Sequence, residues 1–247
     1  MKKEQQAVIE QRSTLSVALE ITGTASIIQN CFSQKAIEEM LRKHMGLSVQ
    51  REKKVPADCI ERATIKNVKG KVCLPPTAIK KAMLTASASI KGMKKTSLRT
   101  EIFIEGGSIP FTFSQMIPRM NMVRTSGKNR TPDVRFRPEF QDWKARLIIQ
   151  FSDNLPVQTV VDLLNRAGNV GVGEWRPEKD GTFGTFEVTR NITDPAEIKE
   201  VRQECRPGLV SLTIPEWAMN AELTPEILAK IARGDSENEP EEEEIKE

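Results

Sequence analysis

Residues 15 to 21, LSVALEI, alternate Leu15, Val17, Leu19 and Ile21 with Ser16, Ala18 and Glu20. That period of two predicts a strand with one buried face. The same alternation returns in WKARLIIQF, residues 143 to 151, where Trp143, Ala145, Leu147, Ile149 and Phe151 share a face. Weaker extended segments are expected around Ile65 and Val68 (residues 62 to 68), at residues 99 to 105 (RTEIFIE), and at residues 209 to 214 (LVSLTI).

Between the strands the period lengthens to that of a helix. SQKAIEEMLRKHMG has Ser33 as an N-cap, Ile37, Met40 and Leu41 on one face with His44 or Met45, and Gly46 as a stop. After Pro75 and Pro76, Ile79, Ala82, Met83, Ala86 and Ile90 fall at helical spacing. Val157, Val160, Val161 and Leu164 do the same, with Asn154 as the expected N-cap and Gly168 as the stop. Asp194 and Thr224, each followed by proline, predict two more helix starts.

Together these elements spell βαβ…βαβ, with a first unit over residues 14 to 68 and a second over 142 to 189. The fold class expected is α+β, with a ferredoxin-like (RRM-like) core. Its domain would span residues 14 to 190 with an insertion at 70 to 141. An N-terminal arm (1 to 13), a C-terminal α/β extension (191 to 234) and an acidic tail (235 to 247) complete the division.

Charge changes this picture. The net charge is +3, but residues 235 to 247, DSENEPEEEEIKE, carry eight acids and one lysine. Residues 1 to 234 therefore hold a net +10. Within the insertion, residues 117 to 137 (IPRMNMVRTSGKNRTPDVRFR) place Arg119, Arg124, Lys128, Arg130, Arg135 and Arg137 against the single acid Asp133. Turn chemistry at its centre predicts a projecting hairpin or loop. The acidic tail reads as a solvated end, as a competitor for the basic surface, or as a seat for a host protein partner.

Other chemistries are poorly supplied. Cys31, Cys59, Cys73 and Cys205 form no C-x-x-C pair, and His44 is the single histidine, so no zinc site or other metal site is expected. No phosphate-loop motif occurs, and no cofactor is implied. Neither an apolar run of membrane length nor a secretory signal is present, so the expected location is the cytoplasm. His44 would have to serve any acid-base chemistry, and its place near a helix end suits a dipole cap.

Residues 168 to 188, GNVGVGEWRPEKDGTFGTFEV, hold five glycines. A helix precedes them and a strand follows, the reverse of a dinucleotide fingerprint. Two uses remain. Gly171, Gly173, Gly181 and Gly184 could admit a nucleic-acid phosphate beside Arg176 and Lys179, or they could let the loop fold flat against neighbouring strands. Trp175 is likewise either a lid or a base-stacking platform.

A basic hairpin in an insert, followed by a loop of the form GVGxWRPxxxGxFGxFEV, resembles the RAMP superfamily of RNA-binding proteins, especially the backbone subunit of CRISPR surveillance complexes. VCLPPTAIKKAMLTAS is similar to that superfamily's proline-led helix, and WRPEKDGTFGTFEV with RTPDVRFRPEF also resembles uncharacterised bacteriophage and prophage proteins. The resemblance covers residues 14 to 190. It implies that Gly171, Gly173, Arg176, Gly181 and Gly184 lie against a nucleic-acid backbone, and that a thumb within residues 117 to 137 reaches a neighbouring subunit. Lys80 and Lys81 precede the place of the superfamily's arginine, near which Thr85 stands.

The function expected is therefore a phage-encoded, non-enzymatic, homo-oligomerising protein that grips single-stranded RNA or DNA in the host cytoplasm, with no membrane partner. A protein-interaction module and a metal-independent endoribonuclease are the alternatives.

Overall fold

The computed structural model describes residues 13 to 47, 54 to 124 and 132 to 215. The chain divides into two units, one of residues 1 to 33 with 50 to 211, the other of 34 to 49 with 212 to 247. In the second, helix α1 (Gln34–His44) starts directly after Ser33 and carries Arg42, Lys43 and His44 in its last turn, with His44 exposed. Gln34 anchors this unit: its Nε2 donates to the Thr213 carbonyl at 2.7 Å, and its Oε1 accepts from the Thr213 amide at 3.1 Å.

The larger unit mixes helices with antiparallel sheet, so its class is α+β. Strand β1 (Thr14–Gly23) pairs with β8 (Lys144–Ser152) on one side and β9 (Phe186–Ile192) on the other. The far edge of β8 carries β4 (Ile102–Ile104) and, further along, β5 (Ile109–Thr112), which pairs with β3 (Cys73–Leu74). The alternation seen in sequence decides the faces: Val17, Leu19, Ile21, Leu147, Ile149 and Phe151 all enter one buried core. Helices α3 (Pro76–Ala86) and α5 (Val157–Val170) close that core with Ile79, Ala82, Met83, Val160, Leu163 and Leu164.

Trp143 lies wholly buried at the head of β8, where its Nε1 donates to the Ala25 carbonyl at 2.9 Å. A side chain at residue 23 would meet this indole at 2.2 Å, so glycine is required there.

The opposite sheet face is also covered. Helix α6 (Pro195–Cys205) is N-capped by Asp194, which accepts from the Ala196 and Glu197 amides. It lays Ile198, Val201 and Cys205 over Ala18, Ile148 and Ile192. Beside that apolar strip, Arg146 meets Glu197, Glu200 and Glu204, and Arg190 bridges Glu20 and Glu197.

A second sheet runs in the order β2-β7-β6, from β2 (Ile27–Ile28), β7 (Pro132–Gln141) and β6 (Gln115–Arg124). Helix α2 (Pro56–Ala63) packs against β7.

Several sequence expectations give way here. Residues 62 and 63 end α2, and Lys66 and Asn67 make isolated bridges rather than a strand, because the Asn67 side-chain Oδ1 accepts from the Lys69 and Lys71 amides and folds the chain into a turn. The helix between β1 and β4 that packs on α5 is α3, and the Gln34–His44 helix belongs to the other unit. Residues 70 to 141, expected as an insertion, thus supply α3, β4 and β5 to the main core and sheet. Residues 99 to 101 end a further helix, α4 (Lys95–Glu101), and only Ile102–Ile104 pair. Pro156, not Asn154, occupies the N-cap of α5, and that helix runs two residues past Gly168. Residues 209 to 214 contribute one bridge, Asn67 with Leu209, and no ladder. Thr224 lies outside the described residues.

Candidate nucleic-acid interface

The expected hairpin is present as β6 and β7, in register from Gln115 opposite Gln141 to Arg124 opposite Pro132. Because opposed residues share a face, the register separates two surfaces. One carries Met116 with Phe140, Pro118 with Pro138, Met120 with Phe136, and Met122 with Val134. Its base joins the core, since Phe140 packs on Phe111 and Phe113. Further out it is bare, with Met120 69% and Met122 77% exposed. The other surface carries Glu139, Arg119 opposite Arg137, Arg135 opposite Asn121, and Asp133.

Like charges set directly opposite repel, and the structure relieves Arg119 in two ways. It ion-pairs with Glu139 and lies over the Phe183 ring, 4.7 Å from its centroid. Arg137 is buried, and its Nε and Nη1 have no hydrogen-bond partner among the described residues. Burial pushes its guanidinium below the usual arginine range, opposed by the nearby Glu174 carboxylate. Arg135 and Lys54 both approach Asp133, and the Lys54 hydrogen bond holds that carboxyl below the usual range. Arg124 is exposed. Lys128 and Arg130 lie outside the described residues.

The glycine loop, residues 171 to 185, answers its own question sterically. A Cβ at Gly181 would stand 1.7 Å from the Trp175 carbonyl oxygen, and one at Gly184 would stand 1.8 Å from that of Val172. At Gly173, φ is +82° and the Ile28 carbonyl lies 2.6 Å from the Cβ position. The close approach is thus made by the protein's own main chain. Amides of Glu174 and Gly184 donate to Ile28 and Ser26 at 2.9 and 2.8 Å, which docks the loop along β2. β2 in turn pairs with β7, so loop and hairpin belong to one continuous surface.

Within the loop, Arg176 is occupied. Its Nε and Nη2 donate to Glu178 at 2.9 and 2.6 Å, and its Nη1 to the Gly173 carbonyl at 2.8 Å. Thr85 of α3 donates to the same Glu178 at 3.2 Å, and these contacts, led by the Arg176 hydrogen bond, hold the Glu178 carboxyl below its usual range. Trp175 is 41% exposed and takes a positive φ of 56°. Lys179 is exposed in a short turn, Pro177–Lys179.

Between this loop and the start of α3 lies a cleft of about 240 Å³, lined by Asn30, Pro75, Lys81, Gly171, Gly173 and Arg176 among others. Lys80 points elsewhere, its Nζ donating to the Arg99 carbonyl and lying 4.4 Å over the Phe103 ring. The fold therefore gathers Arg119, Arg137, Lys81, Arg176 and the loop glycines, and leaves Lys80 apart. Sequence reasoning missed Glu139, Glu174 and Glu178, the acids that face these cations. Only Glu178, two residues after Arg176, offered a local signal.

A chain in the solved structure titled "Cryo-EM structure of the Type III-B Cmr-beta bound to cognate target RNA" aligns with 72% of this chain, at 11% identity and a TM-score of 0.44. The alignment spans 60% of that chain's length. No protein-family model matches the sequence, and no curated protein matches it. Among the described residues, no helix is long and apolar enough to cross a membrane.

Proposed function

We propose that this chain is a non-enzymatic, RAMP-like protein that binds single-stranded nucleic acid through its backbone and assembles with further copies of itself. The order β1-α3-β4-β8-α5-β9, with strands arranged β4-β8-β1-β9, fits a ferredoxin-like core. The observation that carries the reading is the junction of hairpin and glycine loop along β2, where Arg119 meets Phe183 beside the Lys81–Arg176 cleft. Since α6 covers the far face of the sheet at Ala18, Ile148 and Ile192, the nucleic acid is expected to follow this junction rather than that part of the sheet surface. The bare methionine face of the hairpin suits a second copy, because exposed apolar strand surface favours association.

A protein-interaction module is the second reading, favoured by the pairing of Arg119, Arg135 and Arg176 with acids of their own chain. One measurement separates the two. Binding of labelled poly-U and poly-dT to the full chain is followed across a salt series, with particle size recorded in parallel. The nucleic-acid reading expects log affinity to fall with log salt at about −0.7 per phosphate neutralised, with growth in particle size on long strands. Absence of binding to either polymer at low salt overturns it.

A further inference from the structure

Residues 62 to 100 contain ten lysines and arginines and no aspartate or glutamate. This charge equals the whole net +10 of residues 1 to 234, so the rest of that stretch is neutral in sum. In the hairpin Arg119 and Arg135 pair with acids of the same hairpin; in this segment Lys66 and Lys71 pair with acids from outside it, Glu61 and Glu204.

Its last part is presented by packing. Ile90 and Met93 rest against the main core and Leu98 is buried. The Ile90 amide donates to Ser87 at 3.0 Å and the Met93 amide to Ile90 at 3.3 Å, with Gly92 at φ +83° closing the turn. With the apolar positions drawn inward, Lys91, Lys94, Lys95 and Arg99 stand exposed, and none forms an ion pair with an acid among the described residues. Lys80 joins them through the Arg99 carbonyl, and its ammonium lies over Phe103. Phe103 itself is 49% exposed on β4, a strand with no partner on its outer edge among the described residues. Glu101, at the end of α4, is the acid of the same helix.

We propose that Lys80, Lys91, Lys94, Lys95 and Arg99, with Phe103 beneath the Lys80 ammonium, form a second contact surface for the backbone of a single-stranded nucleic acid. Lysine ammoniums are compact, hydrated charges that meet phosphates without reading sequence. An aromatic ring among them offers sequence-tolerant base stacking. This inference rests on the nucleic-acid reading above and lengthens the path of the strand from the glycine loop along α3 to the sheet edge.

The test compares the full chain with K91Q/K94Q/K95Q and with F103A, using labelled poly-U and poly-dT. Thermal melts confirm that both variants fold. The triple variant is expected to lose on the order of a hundredfold in affinity at 0.1 M salt and to flatten the salt slope by about 2, three contacts at about 0.7 each. F103A is expected to weaken binding by roughly tenfold. Wild-type binding with unchanged affinity and slope in the triple variant overturns this proposal and leaves the primary reading intact. Wild-type protein that binds neither polymer overturns both. A chain ending at residue 234 supplies the last arm: if the lysine substitutions change affinity only when residues 235 to 247 are present, the patch serves the chain's own acidic segment, and the proposal fails.

Discussion

Arg119 of the hairpin lies over the ring of Phe183 in the glycine loop, its guanidinium 4.7 Å from the ring centroid. The two residues are distant in sequence and sit on elements that the residue pattern alone treats as independent. Their contact adds a side-chain link to the backbone pairing through β2 that joins hairpin and loop in one surface. Glu139 completes the arrangement by pairing with the same guanidinium.

Arg119→Lys keeps the charge and loses both the planar stack and the fork that meets a carboxylate. We expect it to destabilise the chain by about 1 kcal/mol, the scale of a partly exposed cation-π contact. A double-mutant cycle with Phe183→Leu, read by urea unfolding, should give a coupling of the same order. Strict additivity of the two substitutions would remove the contact from the account.

Gly181→Ala places a methyl group 1.7 Å from the Trp175 carbonyl oxygen, so the loop must move. The expected loss is about 2 kcal/mol or more, as for other overpacking changes. Gly208→Ala is the control, since nothing lies within 4 Å of its added carbon. Thermal melts should separate the two; equal melting temperatures would mean that the loop is not seated along its own backbone.

The Glu178 carboxyl is held below its ordinary value, chiefly by the hydrogen bond from Arg176. A carboxyl depressed in the folded state contributes stability above its unfolded pKa, about 4.3, and loses it as pH falls through the lower folded value. Glu178→Gln should therefore be less stable than the parent at neutral pH and converge with it in acid. A stability difference independent of pH from neutrality to pH 3 would contradict the ion pair.

Thiol reactivity should follow burial. Desolvation pushes the Cys73 thiol up to about 11 and that of Cys205 to about 12, while Cys31 is exposed and raised less. Thiolate is the reactive form, so alkylation of the native chain at neutral pH should mark Cys31 well before Cys73 and Cys205. Peptide mass spectrometry reads the order. Early modification of Cys205 would show that α6 leaves the sheet readily.

How much of this was written in the residue order differs from element to element. The alternation in β1 and β8 named the face turned to the main core, Val17 to Ile21 and Trp143 to Phe151, because a strand's side chains must alternate whatever surrounds it, but Leu15 is exposed and Ala18 and Ile148 are buried on the other face, under α6. The period of Ile79, Ala82, Met83 and Ala86 likewise named the buried stripe of α3. What that pattern could not say was which helix would cross between the sheet's strands. Gln34–His44 and Pro76–Ala86 both look amphipathic; the stripe of Pro76–Ala86 is met by α5 and the sheet, whereas Gln34–His44 belongs to a separate unit and has no buried residue.

The candidate site was readable as residue types and not as chemistry. Positive charge in residues 117 to 137 and glycine in residues 168 to 188 are facts of composition, and both mark real features of the surface. Whether a cation is available to a ligand depends on acids that arrive from elsewhere. Glu139 reaches Arg119 across a hairpin, and Glu174 comes near Arg137 from a loop that joins the sheet through β2. Local periodicity and turn preference act over a few residues and can be seen along a single strand of sequence. Charge pairing and close main-chain approach act across space, so they arise once the chain has closed on itself.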